Sequence, residues 1–595
     1  METKTRKLSL VTCMAIGLSV FSGCKDNDYD LSSIDMTVGI GNGEFALPVC
    51  STDTIQLNDV LKLNDSETVI EKANGDYFFV KDGDEVAPAS AKVDEVVVIK
   101  KESKLYDFNF SIEQYLNQPG KKTTALNIPV NIDESQVVYS FSYEGNIPNE
   151  IEELTTTDLN GSMSVSADFS AAIKAFIPVI SEIRLELPSF ITIDNLKSEH
   201  ECKLDGSKIV INNVNTANPI KLSFNLSKIN VTAKDESLGE VSTANGKLTI
   251  AAKMKMGLKV SNIVVDATTT DPTKCKITST MSVDDNITIT NVEGRFNPSI
   301  SLDNLGSADI TGIPDFLSED GVVLDVDNPK IILTAESDLD IPGFVGGTLT
   351  AIKDGKTTTT INIPEMNIVA NDTSRICICR HADKVDKTAF TSVVEIPNLS
   401  TLLTPIPDRI TFSGNARADK NTVADFKLGK THTLKPRYRI ETPLAFAENA
   451  KIIYTDSIDD FNDDIKDLDV TENTHIEMTA EVENKVPAYL NATATAIDIN
   501  GREMPESEVK VKVEGEIAAS ADGKTAKVSP LKVVLTPAKG ALKKLDGIKF
   551  TVSGAAKAEG DGPAITGQTL NARKHSLVVK NIKIKFVGKA IADLN

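Results

Sequence analysis

The sequence predicts an all-β protein of tandem antiparallel β-sandwich domains, with short helices in the connections. Three observations lead to this fold class. Apolar and polar residues alternate along many segments, turn signals recur between these segments, and one segment of the chain is repeated. The 595 residues exceed what a single core holds. A prior of about 150 residues per domain suggests three or four domains.

The clearest alternation lies in the segment KLTIAAKMKMGLKV, residues 247–260. If this segment is extended, its larger apolar residues and Ala252 share one face, while Thr249 and the lysines share the other. A helix would scatter the apolar residues around its axis, so the period of two indicates a long, half-buried strand of an antiparallel sheet. The segments 183–193 (IRLELPSFITI) and 581–586 (NIKIKF) alternate in the same way.

Turn signals and short helical patterns occupy the intervals between the predicted strands. The tetrapeptides NGDY, KDGK, INGR and ADGK are turn signals because glycine and asparagine adopt the backbone angles that tight turns need. Helical patterns lie at 170–183 (SAAIKAFIPVISEI) and 459–468 (DDFNDDIKDL).

One internal repeat is visible without gaps. The segment NPKIILTAESDLDIPGFVGGTLTAI (328–352) aligns with NTHIEMTAEVENKVPAYLNATATAI (473–497) with ten identities. Ordinary composition would give roughly one or two by chance. Both copies predict a strand, an Ile-Pro or Val-Pro step, and a second strand. Proline cannot donate to a strand ladder, so this step predicts an edge or a bulge. A weaker copy lies at 137–148 (VVYSFSYEGNIP).

The N-terminus has the layout of a secretory signal. Lys4, Arg6 and Lys7 precede an apolar stretch, which small residues and then the acidic segment KDNDYD follow. A membrane-spanning helix needs about 20 apolar residues, and this stretch is shorter. We therefore expect export followed by cleavage.

The residues at the cleavage site resemble the lipobox of bacterial lipoproteins. Ser22 and Gly23 precede Cys24 as in that family, and Phe21 stands where leucine is usual. The resemblance implies that Cys24 carries fatty acyl chains such as palmitate. Two or three chains anchor a protein firmly, since each buried CH₂ contributes about 0.8 kcal/mol.

The segment KDNDYD after Cys24 is similar to the export tag of Bacteroidetes surface lipoproteins. The resemblance implies a lipid anchor in the outer membrane with the protein facing the cell exterior. A solvated acidic tether without an address function is the alternative. With these assignments we expect the following segments: a signal peptide at 1–23, a lipidated tether at 24–35, an N-terminal β domain at 36–130, a β-sandwich domain at 131–310, and β-sandwich repeat units at 311–440 and 441–595.

The composition limits the partners. The formal net charge is −22. Residues 1–23 hold three basic residues and one acidic residue, so removing them leaves 60 basic and 84 acidic residues, a net charge of −24. Such a surface repels nucleic acid and anionic lipid. Partners that stay open are the outer membrane through the lipid anchor, a surface glycan and a protein.

Cysteine and aromatic usage gives further limits. Five cysteines follow Cys24, an odd number spread over hundreds of residues, which does not form a disulfide framework. Tryptophan is absent and aromatic residues make up 5% of the chain. This composition weighs against sugar-stacking platforms, although the tyrosines could serve.

Several catalytic and phosphate-binding motifs fail at one residue. The segment HECKL begins at His200 like a zinc-protease helix but has Leu204 at the second ligand position. TAIKDGKT has Thr350 where a phosphate loop opens with glycine, and it predicts a hairpin turn instead. GIGNGE has Glu44 at the third glycine position of a dinucleotide fingerprint.

Two segments resemble metal sites in composition. In DDFNDDIKDLDVTE, the choice of Asp460 as the first calcium ligand places Ile465 where the turn glycine belongs, so a solvated acidic helix is favoured. In RICICRH, a strand would direct Cys377, Cys379 and His381 to one face, but no fourth zinc ligand is nearby. We expect a strand buried on both faces.

These observations favour a non-enzymatic, lipid-anchored cell-surface protein that acts as a binding or assembly module, with no cofactor, no bound metal and no nucleic-acid partner. Cys24 is the one functional residue that the sequence identifies. The alternatives are a glycan-binding accessory lipoprotein of a polysaccharide-uptake system and a fimbria-like adhesin subunit. A hydrolase is least supported.

Overall fold

The computed structural model describes residues 38–48, 51–52, 54–58, 68–116, 127–264, 271–300, 302, 305–312, 317, 321–460, 462–466, 468–471, 473–560 and 562–592. Cys24, the predicted signal peptide and the predicted tether lie outside the described residues. The described part is built of antiparallel sheets with a few helices of four to six residues, so the prediction of an all-β fold is confirmed.

The strands of the first half of the chain are β1 Val38–Pro48, β2 Ile55–Gln56, β3 Val69–Glu71, β4 Tyr77–Asp82, β5 Ala89–Lys92, β6 Val96–Ile99, β7 Glu102–Phe110, β8 Asn127–Asn146, β9 Ile151–Asn160, β10 Ser162–Phe169, β11 Val179–Glu186, β12 Ile191–Ser198, β13 Cys202–Asp205, β14 Lys208–Asn215, β15 Ile220–Asn230, β16 Gly239–Ser242, β17 Lys247–Val264, β18 Cys275–Val283 and β19 Ile287–Phe296.

The strands of the second half are β20 Gly306–Asp309, β21 Lys330–Ser337, β22 Gly343–Lys353, β23 Lys356–Ile368, β24 Thr373–Cys379, β25 Ser392–Glu395, β26 Arg409–Ala418, β27 Val423–Lys427, β28 Thr431–Pro443, β29 Lys451–Ile458, β30 Leu468–Val470, β31 His475–Asn484, β32 Tyr489–Asp498, β33 Val509–Glu514, β34 Lys527–Pro537, β35 Leu545–Ala555 and β36 Ser576–Ala592. The α-helices are α1 Glu113–Leu116, α2 Ala171–Phe176 and α3 Asn462–Ile465.

The sheets form three sandwiches, which we name in the order of their central strands. The first sandwich packs the nine-stranded sheet that contains β9, β10, β15, β18 and β19 against the six-stranded sheet that contains β8, β11 and β17. The second packs the sheet of β21, β24 and β28 against that of β22, β23 and β26. The third packs the sheet of β31, β34 and β36 against that of β29, β32 and β35.

Two continuous apolar cores run through the three sandwiches. One core fills the first sandwich and also takes in Ile341 and Ala418 from the second. The other core is shared by the second and third sandwiches. The three sandwiches are therefore joined in chain order by buried apolar contacts.

The N-terminal segment supplies strands to all three sandwiches. Strands β1 and β2 pair with β36 in the third sandwich, β4 and β5 pair with β28 in the second, and β7 and β6 pair with β18 and β19 in the first. The described strands of 36–130, which the sequence assigns to a domain of its own, thus complete sheets formed by later segments. The predicted boundaries near 130, 310 and 440 stay predictions.

The two copies of the repeat adopt the same local structure. Strand β21 begins at Lys330 and β31 at His475, positions that correspond in the alignment, and each strand is followed by a strand of the facing sheet. The first residues of the steps Ile341-Pro342 and Val486-Pro487 are buried, 2% and 5% exposed. The predicted strand, proline step and second strand are confirmed in both copies.

The proline step is where the chain crosses between facing sheets. Among the described residues it does so at Ile147-Pro148, Leu187-Pro188, Ile341-Pro342 and Val486-Pro487, where one strand leads directly into a strand of the facing sheet. Proline cannot extend a ladder because it lacks the N–H donor, so the strand ends and the chain changes layer.

Three predictions from the sequence are corrected by the structure. Residues 183–193 do not form one strand, because β11 ends before Leu187-Pro188 and β12 begins in the other sheet. The helix predicted for 170–183 is limited to Ala171–Phe176, since Pro178 disfavours helical backbone at Ile177. The helix predicted for 459–468 is also shorter, Asn462–Ile465.

Candidate functional site

The predicted cysteine strand is confirmed as a buried central strand. Strand β24 pairs with β21 on one side and with β25 on the other. Cys377 and Cys379 face a small cluster around Val385, whereas Ile376 and Ile378 face the main core, and all four are fully buried. The hydrogen bond with Cys379, reinforced by burial, raises the pKa of the Cys377 thiol above its ordinary value.

The other metal-like segments are used structurally. His200 precedes the strand Cys202–Asp205 rather than opening a helix, which removes the spacing that a zinc helix needs. The side chain of Asn462 donates to the carbonyls of Lys543 and Leu545. Among the residues that the structure describes, no group of three or more His, Cys, Asp or Glu side chains is placed to hold a metal ion.

A cleft of about 1120 Å³ lies in the first sandwich. Strands β6 and β7 form one of its walls, and β8, β16 and β17 form the other. Ligand pockets for small molecules typically enclose about 300–1,000 Å³. The cleft therefore has room for a chain-like ligand.

The cleft begins where a closed seam between the two sheets ends. Strands β7 and β8 are edge strands of facing sheets, and side chains join them along most of β7. The amide of Gln136 bonds both backbone groups of Asn109, and the Tyr106 ring packs edge-on against Tyr139 with centroids 6.1 Å apart. After Tyr139, no side-chain hydrogen bond joins the described residues of β8 to β6. There β6 and β8 line opposite walls of the cleft.

In-register rows of side chains form the floor of the cleft. The sheet aligns Tyr143, Ile250 and Val241 in one row and Phe141, Ala252 and Gly239 in the next. These residues lie on the inner face of the sheet, which is the face that carries the buried side chains of Ile250 and Ala252. In the second row the half-buried Phe141 ring lies beside the small residues Ala252 and Gly239, and all three line the cleft.

Gly239 cannot be replaced by a larger residue without a shift of the backbone. Its φ of +148° lies in the region that favours glycine, and a Cβ there would meet the carbonyl oxygen of Ala251 at 1.9 Å. The close approach of β16 to β17 therefore fixes the shape of the floor.

A polar trio marks the inner end of the cleft. The Tyr139 hydroxyl donates to Glu102 at 2.7 Å, and the Lys104 ammonium lies 2.6 Å from the same carboxylate oxygen. Lys104 also lies 5.3 Å from the centroid of the Tyr139 ring. The hydrogen bond from Lys104 lowers the pKa of Glu102, while burial raises the pKa of Tyr139 above its ordinary range.

Two of the acidic residues in the cleft are occupied by local contacts. Glu144 pairs with Lys247 at 2.6 Å. Asp235 accepts the backbone N–H groups of Ser189, Ser237 and Leu238. Although burial acts in the opposite direction, these donors hold the pKa of Asp235 below its ordinary value.

The remaining charges at the cleft nearly balance. Five charged residues line the cleft without an ion pair to another described residue. They are Lys100, Lys234, Lys253, Glu236 and Glu240. In a chain with a net charge of −22, this is a nearly neutral surface.

The cleft residues were not singled out by the sequence. The alternation of β17 predicted that Ala252 is inward-facing, but no local pattern indicates that β6, β8 and β16 come together around a cleft beside it. Tyr106 and Tyr139 pack edge to face at 77°, so this pair is not the planar platform that glycan stacking would favour. The half-buried rings of Phe141 and Tyr143 are the aromatic groups on the floor.

The terminal strands bear on the assembly alternative. Strands β1 and β36 pair with each other over most of β1, and β1 lies at the edge of its sheet. The structure thus includes no displaced terminal strand within its described part. No described helix has the length and apolar content that crossing a membrane requires.

Comparisons with known proteins find similarity to solved structures alone. No protein-family model and no curated protein matches the chain. The chain is similar to the crystal structure of a protein from Parabacteroides distasonis that is described as secreted, with 18% identity over 50% of this chain and 90% of that chain, and a TM-score of 0.33. It is also similar to the VP2 subviral particle of infectious bursal disease virus, with 8% identity over 87% of this chain and 89% of that chain, and a TM-score of 0.15. At these TM-scores the similarity carries no argument about function.

Proposed function

We propose that the chain is a lipid-anchored cell-surface protein that binds a partner in the cleft of its first sandwich. Cys24 bears the acyl chains, the outer membrane holds them, and the three sandwiches extend from this anchor toward the cell exterior. The protein acts as a binding module rather than an enzyme, and it uses no cofactor, no metal and no nucleic acid. The observation that carries the proposal is the cleft, whose lining combines apolar side chains such as Phe141 and Val241 with many charged and polar ones.

The path of the chain supports the presentation of the cleft away from the membrane. Strand β1 begins at Val38, 14 residues after Cys24, and belongs to the third sandwich. The cleft belongs to the first sandwich, and the second sandwich lies between them in the order of shared cores. The anchor is therefore joined to the third sandwich, whereas the cleft lies in the first.

A neutral glycan is the second candidate ligand. The nearly balanced charges at the cleft and the half-buried rings of Phe141 and Tyr143 favour it, because an uncharged ligand meets no electrostatic barrier and aromatic rings pack against apolar faces. This candidate corresponds to an accessory lipoprotein of a polysaccharide-uptake system.

Surface labelling of intact cells tests the proposed location. Leu105 in the first sandwich and Ile499 in the third are 65% and 62% exposed, so Leu105→Cys and Ile499→Cys each present a reactive thiol. The background carries Cys202→Ser, because Cys202 is partly exposed, and Cys50→Ser, because Cys50 lies outside the described residues. Cys275, Cys377 and Cys379 are buried and stay in place. We expect a membrane-impermeant maleimide to label both variants on intact cells. Labelling only after the outer membrane is permeabilised would contradict the proposal.

A further inference from the structure

We propose that the cleft binds an extended polypeptide strand of another exported protein, which adds to the free edges of β6 and β8. This inference rests on the proposed function, because it names the class of partner that the cleft accepts. The partner strand would continue the seam that Gln136 and Tyr139 begin.

Two strand edges at the cleft have backbone groups that no described ladder uses. Within the described residues, β6 pairs only with β19 and β8 pairs only with β17, so each strand has one edge without a ladder. These edges belong to facing sheets and line opposite walls of the same cleft. An edge with unpaired N–H and C=O groups is a template for another strand.

In the seam between β7 and β8, a side chain satisfies the backbone groups of an edge strand. Along β7 the side-chain amide of Gln136 takes the place of a neighbouring peptide group, because it accepts from the N–H of Asn109 and donates to its carbonyl. No side chain does this for Val97–Ile99 or Ser140–Glu144 in the described structure. A peptide backbone supplies the same donor and acceptor pair at every second residue.

The floor of the cleft fits a strand with apolar side chains at alternate positions. A strand that lies along β8 directs every second side chain toward the inner face. There it meets Phe141, Tyr143 and Val241, which are partly exposed, and the small residues Ala252 and Gly239 beside them. Burial of apolar side chains on this floor adds to the backbone hydrogen bonds.

The charges select a strand of low net charge. The uncommitted charges at the cleft are three lysines and two glutamates, which come close to balancing. The whole chain carries −22, so a strongly acidic partner is repelled at a distance. An uncharged strand with alternating polar and apolar residues complements both features.

The tether of the chain itself is an unsuitable occupant. Residues 24–37 start at the proposed lipid anchor and lead into β1 of the third sandwich. Fully extended, these 14 residues span at most about 50 Å. The tether therefore leads into the third sandwich rather than the first, and we assign the cleft to a partner in trans.

Hydrogen–deuterium exchange on the purified lipidated protein in detergent tests the inference. The probe is an end-blocked eight-residue peptide of alternating threonine and valine, and its matched control is N-methylated at the two central residues. A linear neutral hexasaccharide of glucose is the third probe. We expect the peptide to slow exchange by about fivefold or more in 96–99 and 140–146, and the N-methylated peptide to have no effect.

A pair of variants tests the floor. Val241→Lys places a charge in the cleft and should abolish protection by the peptide, whereas Val528→Lys, at a residue 59% exposed in the third sandwich, should leave it unchanged. Equal protection by the N-methylated peptide would overturn the proposal. Protection by the hexasaccharide alone would overturn the strand as ligand and leave the proposed function standing, and protection by neither probe would overturn both.

Discussion

The side-chain amide of Gln136 bonds both backbone groups of Asn109, because its Oε1 accepts from the Asn109 N–H at 3.3 Å and its Nε2 donates to the Asn109 carbonyl at 3.0 Å. This contact joins the edge strands of facing sheets without a ladder. We predict that Gln136→Ala destabilises the protein by about 1 kcal/mol, since two hydrogen bonds are lost at an exposed site. Urea denaturation measures the loss, and hydrogen exchange at Asn109 should become faster.

The control for this prediction is Asn131→Ala on the same strand. Asn131 is exposed, and its side chain makes no hydrogen bond to another described residue. The control should change neither stability nor exchange at Asn109. Equal effects of the two variants would show that Gln136 does not close the seam.

The second prediction concerns the acid sensitivity of the first sandwich. Arg184, with a side chain 17% exposed, lies 2.7 Å from Asp133 and 2.9 Å from Glu182. Its hydrogen bond lowers the pKa of Asp133. A lowered folded-state pKa stabilises the protein above the unfolded value, about 3.9 for Asp, and this stabilisation is lost as the pH falls through the folded value.

We therefore expect Arg184→Met to destabilise the protein by about 1 kcal/mol at pH 7 and by less at pH 3, as measured by urea denaturation. Arg295→Met is the control, because Arg295 and its partner Glu153 are both about 45% exposed and their pairing should matter less. A difference between wild type and Arg184→Met that grows as the pH falls would contradict this explanation.

The third prediction is that the purified protein holds no metal ion tightly. The segment around Asp460 has the wrong spacing for calcium, and Cys377 and Cys379 are buried in an apolar cluster. Elemental analysis should find zinc and calcium well below one equivalent per chain. Near-stoichiometric zinc would contradict the prediction, and Cys377, Cys379 and His381 would then be the first residues to replace.

Local patterns predicted individual strands well. Alternation identified β17, in which Leu248, Met254 and Leu258 are buried as expected. The turn signal KDGK became the hairpin between β22 and β23, where Lys353 pairs with Lys356. These features depend on residues close in sequence, so a single sequence contains enough information to predict them.

Long-range pairing could not be predicted in the same way. The strands before residue 111 join three sandwiches, and no local pattern names a partner strand hundreds of residues away. The cleft has the same origin, because it depends on where β6 and β8 separate and on the register that aligns Gly239 with Ala252. The Ile-Pro and Val-Pro steps were predicted to mark an edge or a bulge, whereas the chain changes sheet there, and at Leu187-Pro188 the alternation on both sides concealed this change.

The fourth prediction separates the destination of the protein from its anchoring. If KDNDYD is an export tag, replacement of Asp26, Asp28 and Asp30 by alanine removes its charge and leaves Cys24 in place. Acylation should continue, while protease added to whole cells should no longer cut the protein. A variant that protease still removes from intact cells would show that these residues form only a solvated tether.

Fatty-acid labelling of Cys24→Ser tests the anchor, the claim on which the location depends. A serine hydroxyl cannot replace the thiol that accepts the diacylglycerol, so we predict that wild-type protein incorporates labelled palmitate and that Cys24→Ser incorporates none. Cys13→Ser is the matched control, since it also removes a cysteine of the N-terminal segment and should label as wild type does. Palmitate incorporation into Cys24→Ser at the wild-type level would contradict the proposal that Cys24 anchors this protein.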